Sequence, residues 1–281
     1  MHRALARARP ATPRPQLLAV LGASHVYNNS LGVERGDFFP HQAAKILGMN
    51  ALNVGYSGAS SSLAWSKRGE VFAAGLPDIV CVSGDIASND FSASTGVVAA
   101  LPLPTATTFT VPGMGVYHFP GGKILVGGVS AVVQTVVGDE ITLTSALGVA
   151  PTIGASVLVD TVENVKQLID YYRGRGVPYL FVLGVIMLNF SSPGDTLVAQ
   201  ETWAAAARTN LQIAATAKSV TYVDFLAWGR ARINAGEFAL GDHIWHVADT
   251  NTHPNAIGGN VFGRGLASQV KTTLLAAGVV V

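Results

Sequence analysis

Hydrophobic positions along this chain fall into short unbroken runs, separated by stretches in which apolar residues recur every three or four positions. Leu17-Leu18-Ala19-Val20-Leu21, Ala51-Leu52-Asn53-Val54, Ile79-Val80-Cys81-Val82-Ser83, Tyr179 to Val185 and Val220 to Asp224 read as five strands with little polar alternation. Between them, Phe38 to Leu47, Ser60 to Ala74, Thr161 to Arg175, Ala199 to Lys218 and Asn255 to Ala277 read as helices. The 161–175 stretch is the clearest, with Val162, Val165, Leu168, Ile169 and Tyr172 at helical spacing. Strands that are apolar on both faces and separated by helices predict an α/β fold, a three-layer α/β/α sandwich around a mostly parallel sheet. In such folds functional residues gather in the loops at the carboxyl ends of the strands.

One segment breaks the alternation. Residues 95–160 are dense in Val, Thr, Gly and Pro and contain only Lys123, Asp139, Glu140 and Asp160 as charges. Ala131 to Val137 and Ile141 to Thr144, joined through Gly138-Asp139-Glu140, predict a hairpin. The expected organisation is therefore a basic flexible arm at 1–15, an α/β domain formed by 16–94 and 161–281, and a small all-β insert at 95–160.

Composition narrows the classes. Of 281 residues, 49% are hydrophobic and 12% charged, which excludes a disordered chain. The 18 Lys and Arg nearly balance 17 Asp and Glu, so nothing points to nucleic acid as a partner. Positive charge is concentrated in Arg3, Arg7, Arg9 and Arg14, in an arm where Pro10, Pro13 and Pro15 prevent a continuous helix. No apolar stretch approaches the about 18 residues of a membrane span, and the arm lacks the apolar centre of a secretory signal. Cytoplasmic synthesis is the default expectation, with export or virion association left open. The single cysteine, Cys81, lies inside an apolar strand and reads as a core thiol.

Four loops that follow strands hold polar residues with no evident packing purpose: Gly22-Ala23-Ser24-His25, Asn53-Val54-Gly55-Tyr56-Ser57-Gly58, Gly84 to Asp90, and Asp249-Thr250-Asn251-Thr252-His253-Pro254-Asn255. A hydroxyl just past a buried strand becomes a nucleophile when an imidazole removes its proton, and Ser24 and His253 supply those two groups. The four blocks, in this order, resemble the SGNH (GDSL-type) hydrolase family. The resemblance covers residues 16–94 and 161–277 and leaves the β insert outside. It implies an esterase working through an acyl-enzyme, with Ser24 as nucleophile and His253 as base. It also implies an oxyanion hole made by the Ser24 N–H, the Gly58 N–H and the Asn89 amide. The family's Asn-x-x-x-Ser-Gly form selects Gly58 over Gly55.

The chain departs from the family pattern at three places. Ala23 stands where the Gly-Asp-Ser motif has aspartate. The usual third block is Gly-x-Asn-Asp, whereas Gly84 lies five residues before Asn89. Thr250 occupies the usual position of the acid, leaving Asp249, four residues before His253, or a backbone carbonyl in a Ser–His dyad, to orient the imidazole.

His25, Tyr56 and Trp245 are expected to line the substrate entrance. Asp242, His243, His246 and Asp249 lie together but lack the helical His-Glu-x-x-His spacing, so no metal is expected. No phosphate-binding glycine loop is present, and the chemistry needs no cofactor. The expected substrate is a carboxylic ester, short acyl or O-acetyl and carried by a small molecule or a polysaccharide, with the insert touching an extended chain. The alternatives are a transacylase, or a non-catalytic SGNH-scaffold protein of a virion or cell surface.

Overall fold

The structure is a computed structural model describing residues 15–23, 26, 35–92, 95–185, 197–237 and 256–280. The expected arm at 1–15 lies, but for its last residue, outside them.

Five strands form a parallel sheet: β1 (Leu17–Gly22), β2 (Asn50–Gly55), β3 (Ile79–Val82), β10 (Tyr179–Leu183) and β11 (Thr221–Val223). Their spatial order is β11-β10-β3-β1-β2, so β1 and β3 are central. Registers such as Gly22↔Gly55 and Leu21↔Val82 bring the carboxyl ends of β2, β1 and β3 to one level. Helices cover both faces. On one side α2 (Ser61–Lys67), α4 (Thr161–Gly174) and α5 (Leu197–Ala217) pack on Ala19, Leu21, Val80, Val82 and Val182. On the other, α1 (Phe39–Leu47) and α7 (Ala256–Ala276) pack on Leu18, Val20, Ile79, Cys81, Phe181 and Leu183. The period-two alternation of buried side chains thus feeds two cores, which is why the strands lack polar alternation. Cys81 is fully buried, and burial pushes its thiol pKa up.

Helix boundaries have local causes. Asp160 caps α4 by accepting from Glu163 N–H at 3.1 Å, and Ser60 caps α2 by accepting from Leu63 N–H at 3.1 Å. Helix α7 approaches α1 closely because Gly259 and Gly263 present no side chain. A Cβ on Gly259 would lie 1.8 Å from Asp37 O, and one on Gly263 would lie 2.5 Å from Gln42 Cβ. The helix expected over 60–74 is instead α2 followed by a 3₁₀ segment at Arg68–Phe72. Helix α6 (Phe225–Asn234) was not foreseen. The segment expected as a loop after Gly84 is helix α3 (Asp85–Ser92).

Between α3 and α4 the chain forms a second, antiparallel sheet. Its strands are β4 (Thr95–Val97), β5 (Thr108–Thr110), β6 (Lys123–Val126), β7 (Val129–Val137), β8 (Glu140–Leu143) and β9 (Ser156–Val159), in the order β4-β9-β6-β7-β8-β5. The predicted hairpin is present as β7–β8, with Val137 opposite Glu140 across Gly138-Asp139. This sheet has its own apolar cluster, centred on Phe109, Val111, Ile124, Val133, Ile141 and Val157.

Candidate active site

The first candidate block begins where β1 ends. Gly22 is enclosed: a Cβ there would lie 2.3 Å from Val26 Cγ2, 2.8 Å from Ser83 Cβ and 2.9 Å from Asp85 Oδ1. Only glycine lets the chain turn this close to its neighbours. The next residue, Ala23, donates its N–H to Asp85 Oδ2 at 2.9 Å, and its carbonyl accepts from Val26 N–H at 3.2 Å. Val26 O in turn accepts from Asn53 Nδ2 at 3.2 Å. The chain is therefore held on both sides of positions 24 and 25 by buried polar side chains from the neighbouring strand ends. Ser24 and His25 themselves lie outside the described residues.

The second block is tied to the first by a hydrogen bond from Tyr56 N–H to Gly22 O at 3.2 Å. Tyr56 to Ala59 form a turn closed by Ala59 N–H donating to Tyr56 O at 3.1 Å. Gly58 sits in that turn, exposed, with φ +67°, a left-handed conformation glycine adopts without strain. The Tyr56 hydroxyl donates to the Glu70 carboxylate, and Lys67 Nζ lies 4.9 Å from the ring centroid. Burial first, then the hydrogen bond and charge of Glu70, push the Tyr56 pKa up to about 12.

The third block lies on α3, not in a loop. The four residues between Gly84 and Asn89 are taken up by the helix, which brings Asn89 alongside the second block. Asn89 Nδ2 donates to Ala59 O at 2.9 Å, one residue beyond Gly58. Asp90 follows, fully buried, accepting from Ser61 N–H at 2.9 Å and from the Thr161 hydroxyl at 2.7 Å. Burial, opposed by those hydrogen bonds, pushes its pKa up to about 7. The start of α2 is also gripped from the connection between β5 and β6. Ser60 Oγ donates to Tyr117 O at 2.9 Å, and Phe119 N–H donates to Ser62 Oγ at 2.9 Å.

The structure thus brings Gly58 and Asn89 together and places both next to the segment that leads into Ser24. Asp249, His253 and Trp245 lie outside the described residues, as do Asp242, His243 and His246. Among the described residues no cluster of three His, Cys, Asp or Glu side chains could hold a metal ion, and no helix is long and apolar enough to cross a membrane. Sequence reasoning gave no role to Asp85, Asn53 or Asp90. Asp85 and Asn53 carried a signal, a polar residue at or just beyond the end of an apolar strand, but their partners became visible only with the strand register.

No family model matches the chain, and no curated protein matches it. Solved structures do. A GDSL-like lipase from Parabacteroides merdae superposes with a TM-score of 0.54 at 11% identity, over 93% of this chain and 99% of that one. A lipolytic protein of the G-D-S-L family from Desulfitobacterium hafniense gives 0.51 at 9% identity, over 90% and 98%. An acetyl xylan esterase gives 0.51 at 12% identity, over 90% and 99%. With the sheet order and the two helical layers, these likenesses give the protein the fold of the SGNH (GDSL-type) hydrolases.

Proposed function

We propose that the protein is a serine esterase that cleaves carboxylic esters through an acyl-enzyme. In this reading Ser24 Oγ attacks the ester carbonyl while His253 accepts its proton, and Asp249 or a backbone carbonyl orients the imidazole. The N–H groups of Ser24 and Gly58 and the Asn89 amide face the oxygen that becomes negative, where each donor contributes about 3–4 kcal/mol to transition-state stabilisation. His253 then protonates the departing alkoxide and draws a proton from water, which releases the acid and restores the hydroxyl.

The observation that carries this reading is the convergence of three blocks at the carboxyl ends of adjacent parallel strands, through the Tyr56–Gly22 and Ala23–Asp85 hydrogen bonds. Lipolytic and acetyl xylan esterase names among the structural neighbours support the same reaction class.

We assign residues 16–94 and 161–281 to the hydrolase unit and 95–160 to an inserted β unit, on the strength of its separate apolar cluster. Its grip on Ser60 and Ser62 places it beside the Gly58 turn, which favours an extended ester such as an acetylated glycan. His25, Tyr56 and Trp245 are the proposed walls of the entrance. Hydrolysis of a short p-nitrophenyl ester tests the reading: Ser24→Ala should lose at least ~10³-fold in rate. Equal rates for the variant and the parent would remove Ser24 from the chemistry.

A further inference from the structure

Ser60, Ser61 and Ser62 follow one another at the start of α2, and each is at most 1% exposed. Three successive polar side chains stay buried only when each finds a partner, and here the partners come from three elements. Ser60 Oγ accepts from Leu63 N–H as the helix cap and donates to Tyr117 O on the insert at 2.9 Å. Ser61 Oγ accepts from Asn164 Nδ2 on α4 at 3.2 Å, and Asp90 on α3 accepts from the Ser61 N–H. Ser62 Oγ accepts from Phe119 N–H, again on the insert, at 2.9 Å. Glycines let the insert come this near: a Cβ on Gly122 would lie 2.2 Å from Ser62 Oγ, and one on Gly121 2.6 Å from Trp65 Nε1. Behind them the segment is braced on β7, with Gly121 N–H donating to Val133 O at 2.8 Å and Val133 N–H to Gly122 O at 2.9 Å.

We propose that Ser60 and Ser62 are positioning residues through which the β insert holds the oxyanion hole in shape. Ala59, fully buried and immediately before Ser60, is the link. Its N–H closes the Gly58 turn on Tyr56 O, and its carbonyl accepts from Asn89 Nδ2. Gly58 and Asn89, the two proposed donors from outside the Ser24 segment, therefore share one anchor. A displacement of Ser60 moves both, and a donor stabilises the developing charge only when it is aimed before the reaction begins. The insert is then part of the framework of the site and not an appended module. The chemistry rests on the proposed esterase reading, whereas the holding of the turn is measured without turnover.

The test combines p-nitrophenyl acetate kinetics with amide hydrogen exchange on the full-length protein. Gly122→Ala alters the insert alone and should drive it off Ser62. It is expected to lower kcat about tenfold at unchanged KM and to speed exchange of the Ala59 amide by a similar factor. Ser60→Ala should lower kcat comparably, and Ser60→Thr, which keeps the hydroxyl, should restore most of it. Val149→Ala, at an exposed position on the insert, should change neither reading. Wild-type kcat and wild-type Ala59 exchange in Gly122→Ala would overturn the proposal. So would faster exchange spread evenly over the whole chain, the mark of lost stability alone, or a Ser60→Ala defect that Ser60→Thr leaves unrepaired. If the wild type hydrolyses no ester, the esterase reading falls, and Ala59 exchange in Gly122→Ala still decides whether the insert holds the turn.

Discussion

The carboxylate of Asp85 touches the chain one residue before Ser24, and Asn53 holds it two residues after. A nucleophile is effective only when its geometry is fixed, and about 1 Å of misplacement costs on the order of 10²-fold in rate. Asp85→Ala should therefore lower kcat on a p-nitrophenyl ester by about 10–100-fold with little change in KM, because binding groups elsewhere remain. Asp85→Asn keeps an acceptor for the Ala23 N–H and should restore most of the loss. A drop in Asp85→Ala that appears only in KM would contradict the positioning role. At this scale the sequence was partly legible. The proposed roles of Ser24, Gly58, Asn89 and His253 rest on residue type and order alone, whereas Asp85 and Asn53 bond to backbone atoms of the segment after β1, a relation no local pattern encodes.

Among the elements, α3 differs most from expectation. Its Ser88-Asn89-Asp90 sequence has turn character, and the helix is held by partners distant in sequence: Ala59 O on Asn89, and Ser61 N–H and the Thr161 hydroxyl on Asp90. Tertiary hydrogen bonding overrides local preference there. Helix α4, by contrast, was readable to within a residue, because cap, apolar spacing and glycine stop all agree. Asp90 also makes stability depend on pH. Its pKa rises from about 3.9 in the unfolded chain to about 7 when folded, so the folded state holds a proton that the unfolded state has released. The stabilisation is complete below about pH 4 and is lost as pH rises through about 7. Urea unfolding across that range should show wild type losing stability with rising pH relative to Asp90→Asn, which stays uncharged. Parallel pH profiles would contradict the shift.

Across the whole molecule, the antiparallel sheet meets helices α2 and α4 at a polar seam. Asn164, fully buried, accepts from Lys123 N–H at 2.7 Å and donates to Lys123 O at 3.0 Å and to Ser61 Oγ at 3.2 Å. Asn164→Ala takes the side-chain acceptor from the Lys123 N–H, while Lys123 O keeps the Asp160 N–H at 3.0 Å, and should lower unfolding free energy by about 1–3 kcal/mol. A change within about 0.5 kcal/mol, the range of ordinary surface substitutions, would show the seam to be energetically idle. The α/β class and the β-rich segment were legible because their periodicities differ so sharply. The seam was not, since Lys123, Asn164 and Ser61 each look like ordinary surface polar residues until the chain folds.

The central claim is that Ser24 is an activated hydroxyl, and covalent capture tests it most directly. The protein is treated with a fluorophosphonate and the modified residue located by mass spectrometry, with His253→Ala as the control. The account predicts a single adduct on Ser24 that is lost when His253 is replaced. An unmodified Ser24, or labelling that persists undiminished without His253, would contradict it and favour a scaffold that binds without catalysing.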